Sequence, residues 1–128
     1  MESIFIKGTK RTPEIVFKIN GFLSINGVSI PEDANEFYQS TMEWLDKYEK
    51  LDPENINFKI NFVYMNTTST SSILKILRKA FEVCKNKENV KITWTYEKDE
   101  QDMFEQGKVL EKLVGQSFIF EEKDILGA

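Results

Sequence analysis

A chain of 128 residues fits one domain spanning 1–128, and 41% hydrophobic residues with 12% aromatics supply a core that excludes disorder. The net charge of -4, from 21 acidic and 17 basic side chains, leaves no basic stripe of the kind that releases counterions from nucleic acid. Histidine is absent, which removes imidazole bases, Ser-His and Cys-His pairs and most zinc sites, while Cys84 is the only cysteine and can form no internal disulfide.

The first thirty residues read as β structure. Ile4-Phe5-Ile6 is a short apolar strand, followed by a polar turn from Gly8 to Pro13. Ile15, Phe17 and Ile19 alternate with Val16 and Lys18, the period of a strand with one buried face. Asn20-Gly21 then predicts a type I′ hairpin into Phe22-Leu23-Ser24-Ile25, because both turn residues accept positive φ. A second pair, Asn26-Gly27, is expected to end that strand and turn the chain toward a helix.

That helix is expected to start between Pro31 and Asp33, with Glu32, Asp33 and Glu36 at the positive end of its dipole. Phe37, Thr41, Trp44, Leu45, Tyr48 and Leu51 share one face, and Asp52-Pro53 stops it. Ile56, Phe58, Ile60, Phe62 and Tyr64 alternate with Asn57, Lys59, Asn61 and Val63 as the next strand. After a polar stretch from Asn66 to Ser72, the residues Ile73, Ile76, Leu77, Ala80, Phe81 and Cys84 mark the clearest helix, with Lys85 and Lys87 near its C-terminal end. Val90, Ile92, Trp94 and Tyr96 alternate as a further strand; a third helix covers about 99–114, with Gly115 just past its end. Ser117 to Phe120 is a last strand, and the remaining tail reads as frayed.

The order β-β-β-α-β-α-β-α-β predicts an α/β fold: one mixed sheet of five to six strands, antiparallel at first and parallel through the βαβ crossovers. Two strands with polar faces (Asn57, Lys59, Asn61 and Lys91, Thr93, Thr95) place the three helices mainly on one side. No apolar run approaches the ~18 residues of a membrane span, and no signal peptide is recognisable, so the expected location is the cytoplasm.

Glycine-rich phosphate loops, metal-spaced cysteines and nucleophile elbows are missing, so neither a cofactor nor a metal is expected. Cys84 lies on the apolar stripe of its helix and reads as a small buried hydrophobe. Gly107, inside the third helix, reads as a point of close packing. The acidic run from Glu97 to Glu105 reads as a solvated first turn; the competing reading is a small enzyme or ligand binder using Asp99, Glu100, Asp102 and Tyr96.

The segment Asn66-Thr67-Thr68-Ser69-Thr70-Ser71-Ser72 holds six consecutive hydroxyls between a buried strand and an amphipathic helix. Helix capping needs one or two of them. The rest suggest a phosphoacceptor, since a phosphate is electrostatically favoured at a helix N-terminus and would alter a partner surface without unfolding its host.

Tyr64-Met65-Asn66-Thr67-Thr68-Ser69 ahead of that helix resembles the phosphorylation turn of STAS-like anti-sigma-factor antagonists. More closely, Gly8-Thr9, Thr12-Pro13-Glu14-Ile15, Pro31-Glu32 before Phe37, Tyr64-Met65-Asn66-Thr67, and Trp94-Thr95-Tyr96 leading into Asp99-Glu100 and Asp102-Met103 resemble the SiaC family of regulatory phosphoproteins. Asn66 in place of Asp and Ser69 in place of Gly favour the latter. The resemblance implies a non-enzymatic switch, modified by a Ser/Thr protein kinase, restored by a PP2C-type phosphatase, and activating a diguanylate cyclase when unmodified. It would thereby raise cyclic di-GMP and promote biofilm growth; the alternative partner is an anti-sigma factor. Thr67 follows Asn66 as the family step does, while Thr68 aligns with the STAS acceptor. Asn66, Ser69, Leu74, Lys75 and Arg78 are the expected partner-binding residues.

Overall fold

The structure, a computed structural model, describes residues 1–124. Its strands are β1 (Ile4–Ile6), β2 (Glu14–Phe17), β3 (Phe22–Ser29), β4 (Ile56–Met65), β5 (Val90–Glu97) and β6 (Ile119–Lys123). Three helices, α1 (Ala34–Glu49), α2 (Thr67–Val83) and α3 (Gln101–Val114), fill the crossovers. The strands form one sheet in the order β1-β2-β3-β4-β5-β6. The first two pairings are antiparallel and the last three parallel. Each β-α-β step moves the same way across the sheet, so right-handed crossovers put all three helices on one face. The opposite face carries the exposed side chains of Asn57, Lys59 and Lys91.

Between sheet and helices, Phe17, Leu23, Ile25, Phe58, Ile60, Ile92 and Trp94 pack against Leu45, Ile73, Ile76, Leu77 and Leu110, all essentially without solvent contact. Each such side chain contributes about 1.5–3 kcal/mol by leaving water. Gly107 lets α3 approach the sheet: a Cβ there would lie 2.5 Å from the indole nitrogen of Trp94. That nitrogen donates to the Met103 carbonyl at 2.9 Å, so strand and helix are joined by a hydrogen bond as well as by contact.

Several local expectations are corrected. The first hairpin is not a two-residue type I′ turn. Gly21 N–H donates to the Lys18 carbonyl at 3.0 Å and Lys18 N–H to that of Phe22 at 2.9 Å, enclosing a three-residue loop. Gly21 (φ 95) is in the positive-φ region and Asn20 is not, and a Cβ on Gly21 would sit 2.3 Å from the Asn55 carbonyl oxygen. Asn26-Gly27 does not end a strand either, because β3 runs through it to Ser29. The β3–β4 register pairs Gly27 with Phe62 and Val28 with Tyr64, leaving Val63 as an extra residue on β4. This bulge reverses the alternation: Val63 and Tyr64 are 55% and 54% exposed, and Met65, instead of Tyr64, is buried.

On α1 the buried side holds Tyr38, Thr41, Trp44, Leu45 and Tyr48; Phe37 is half-buried and Leu51 is exposed beyond the helix end. Asp33 caps this helix by accepting from Glu36 N–H at 3.1 Å. The second helix ends at Val83, so Lys85 and Lys87 lie outside it: Lys85 pairs with Asp52 at 3.1 Å and Lys87 opens a short 3₁₀ turn. Gly115, with φ 77, terminates α3 as expected, its N–H reaching the Glu111 carbonyl at 2.9 Å. Residues 121–123 belong to β6 rather than to a frayed tail, and residues 125–128 of that tail lie outside the described residues. Among the described residues, no helix is long and apolar enough to cross a membrane.

Candidate functional site

The junction between β4 and α2 is built by Asn66. The bulge at Val63 brings Met65 onto the core side, and Asn66 N–H then donates to the Ser29 carbonyl at 3.0 Å. Asn66 has extended backbone angles, and its Oδ1 accepts from Ser69 N–H at 2.9 Å. Its carbonyl accepts the first helical bond, from Thr70 N–H at 3.1 Å. One residue thus completes the cap. The hydroxyl run is therefore not a turn ahead of the helix, as the sequence suggests, but the first two turns of α2 itself.

Within those turns the hydroxyls divide. Thr67 and Thr68 are exposed, and Thr68 Oγ1 donates to Asn66 Oδ1 at 3.3 Å. Thr70 is half-buried and donates to the Asn66 carbonyl at 3.2 Å. Ser69 has no solvent exposure at all, so its expected place on a partner-binding surface is corrected: it faces inward. Its Oγ contacts the Ser29 carbonyl at 3.1 Å, and Ser29 Oγ bonds both Ser69 Oγ (2.8 Å) and Tyr38 Oη (2.6 Å). This buried chain ties α2 to β3 and α1. Burial pushes the Tyr38 phenol up to about 12 against the lowering effect of its bond to Ser29, so it is a neutral hydroxyl across the physiological range.

Helical phase separates the remaining candidates. Thr67, Leu74 and Arg78 fall on the outward stripe of α2 at i, i+7 and i+11. Leu74 is half-buried, while Arg78 is exposed and donates to the Leu113 carbonyl of α3 at 3.1 Å. Thr68 and Lys75 fall on the stripe nearer α1 and, with Ser71, line a groove of about 350 Å³ whose other wall carries Glu32, Asp33 and Asn35. The structure brings Asn66, Thr67 and Thr68 together; it sets Leu74 with Arg78, and Lys75 across the groove from Glu32 and Asp33 at the entry to α1.

Sequence reasoning missed Ser29, Tyr38, Glu32 and Asp33 as neighbours of this junction. The signal for Tyr38 was present, since Tyr38, Thr41, Leu45 and Tyr48 also recur at helical spacing. In the acidic run, Asp102 and Glu105 line a hollow of about 400 Å³ with Thr70, Gln106 and Val109, but among the described residues no group of three or more Cys, Asp or Glu is placed to hold a metal ion. Tyr96 packs its ring on Phe104, with centroids 4.9 Å apart. Cys84 is buried; desolvation, and secondarily Asp52, pushes its thiol up, away from the reactive thiolate.

Known proteins share this architecture. SiaC of Pseudomonas aeruginosa superimposes with a TM-score of 0.79 at 24% identity, covering 97% of this chain and 99% of that one. The crystal structure of the diguanylate cyclase SiaD in complex with its activator SiaC, from the same organism, contains a chain matching at TM-score 0.84 and 22% identity, over 94% of this chain and 99% of that chain. In sequence, a protein of unassigned function from Pseudomonas aeruginosa (strain UCBPP-PA14) is 26% identical over 99 residues, which is 77% of this chain and 79% of that protein. The family model for SiaC family regulatory phosphoproteins matches residues 6–123, nearly the whole of the sheet and all three helices, and the chain therefore belongs to the SiaC family.

Proposed function

We propose that this chain is a cytoplasmic switch protein that binds and activates a diguanylate cyclase until a Ser/Thr protein kinase phosphorylates Thr67 or Thr68. A PP2C-type phosphatase restores the active form. As a member of a family of regulatory phosphoproteins, the chain acts on other proteins and is not itself an enzyme. The cyclase is the partner class because SiaC is the activator of the cyclase SiaD in their complex.

One observation carries the proposed switch. Thr67 and Thr68 stand in water at the start of a helix whose cap and internal anchor are supplied by other residues, Asn66 and Ser69. A phosphate there adds about -1.5 to -2 charge units to the surface. Of the hydrogen bonds that build this junction it disturbs only the 3.3 Å bond from Thr68 to Asn66, so the cap and the buried anchor survive the modification.

The test is in vitro phosphorylation with the cognate kinase, followed by phosphosite mapping and cyclase co-purification. Label is expected on Thr67 or Thr68, and the double Thr→Ala variant is expected to escape the kinase yet retain the cyclase. The double Thr→Asp variant is expected to lose it. Label elsewhere in the chain, or a cyclase association indifferent to both variants, would refute the switch. Recovery of an anti-sigma factor in place of the cyclase would assign the same switch to transcriptional partner switching.

A further inference from the structure

The two exposed threonines at the start of α2 face different surroundings, and Thr68 is the one that lines the groove toward α1. Glu32 and Asp33 supply negative charge on the far wall, and Glu36 joins them where the groove continues along α1. Lys75 is the cation on the near wall and lines both stretches. Arg11 lies on the far side of the same three carboxylates, lining a separate hollow with them.

Lys75 forms no ion pair among the described residues, although Lys79, one turn further along the same stripe, is held at 3.2 Å by Asp46 and 2.9 Å by Glu49. Side chains on a helix lean toward its N-terminus, so Lys75 leans back along the stripe toward Thr68. Seven residues of helix separate their Cα atoms by about 10.5 Å along the axis. Thr68 leans the same way, so the flexible four-carbon stem of Lys75 covers most of that gap, and the breadth of a tetrahedral phosphate with the length of a hydrogen bond closes the rest.

Resting on the phosphorylation proposed above, we infer that Lys75 is the intramolecular counter-charge for a phosphate on Thr68. A dianion entering a groove that already holds Glu32 and Asp33 meets like charge on one side and a single mobile ammonium on the other. The ammonium turns to the phosphate because the new charge is larger and shares its helix face. Phosphorylation then does two things to the surface: it adds an anion, and it withdraws the cation that the unmodified protein displays beside Thr68. A phosphate on Thr67, on the outward stripe, leaves Lys75 free.

The experiment installs phosphothreonine site-specifically during translation, at position 68 or position 67, and follows each phosphorus resonance by NMR against pH. With Lys75 present, the position-68 phosphate is expected to lose its second proton more readily; Lys75→Gln is expected to raise that apparent pKa by about 0.5, an effect that high salt suppresses. The position-67 phosphate is expected to ignore the same substitution. Because no kinase is involved, the outcome is independent of whether Thr68 is the natural acceptor, which the labelling experiment decides. A position-68 titration unchanged by Lys75→Gln, or an equal response at position 67, overturns the inference.

Discussion

Two strand-to-helix junctions at the same end of the sheet start their helices by different means. At β4–α2 the helix start is capped by a neutral side chain, Asn66, has no acidic residue in its first turn, and is pinned from within by Ser69. At β5–α3 the cap position holds Glu100, which makes no side-chain cap bond, and Asp102 places fixed negative charge in the first turn. The α3 junction is anchored instead by Trp94, which fills the space that Gly107 leaves and donates its indole N–H to the Met103 carbonyl. A helix whose dipole is already answered by permanent carboxylates has little to gain from a phosphate. The start of α2, held by uncharged groups, carries no such permanent answer, and under the proposed switch a phosphate would supply it.

Substitutions can break this contrast. The largest effect is expected at the α3 anchor: Gly107→Ala forces a methyl against the indole of Trp94 and should lower the unfolding free energy in urea by about 3 kcal/mol. Ser69→Ala deletes the buried link from α2 to β3 and should cost about 2 kcal/mol, with amide exchange accelerated chiefly in the first turn of α2. Asn66→Ala removes a working cap and should cost about 1 kcal/mol, with Asn66→Asp restoring it. Glu100→Ala, by contrast, should stay within about 0.5 kcal/mol, because no cap bond is there to lose. An equal penalty for Asn66→Ala and Glu100→Ala would erase the distinction between the two junctions.

A further effect is confined to alkaline pH and is absent at neutrality. Tyr38 has its folded pKa raised from 10.0 to about 12, so the neutral phenol is the form the fold favours. Its contribution is complete below pH 10 and is lost progressively as pH rises toward 12, where the folded phenol ionises as well. Stability measured against pH should therefore fall over that window in the parent protein, and Tyr38→Phe should flatten this component of the slope.

Much of the architecture was legible because it depends on periods that survive in one dimension. The alternation of Ile56, Phe58, Ile60 and Phe62 and the helical recurrence of Ile73, Ile76, Leu77 and Ala80 each predict the face they bury. The alternation failed at Tyr64, where nothing in β4 itself signals the change: the bulge is a property of the pairing with β3, beside Gly27 at φ 128. Asn-Gly pairs were ambiguous for a related reason. Gly21 closes a three-residue loop and Gly27 stays within a strand, so a residue that permits positive φ does not say which structure will use it. At the candidate site, the cluster of hydroxyls was visible but its division was not. Whether Ser69 faces inward or outward depends on where the helix begins, and that phase is set by Asn66 and by a hydroxyl partner, Ser29, forty residues earlier.

The sheet's spatial order repeats the order in which its strands are synthesised. Every strand after β1 therefore meets a neighbour that already exists, and no pairing has to wait for a distant segment to leave the ribosome. The row can grow from one side, each helix closing over its strand as it emerges, without rearranging what has formed. Such a chain carries its assembly schedule in its topology.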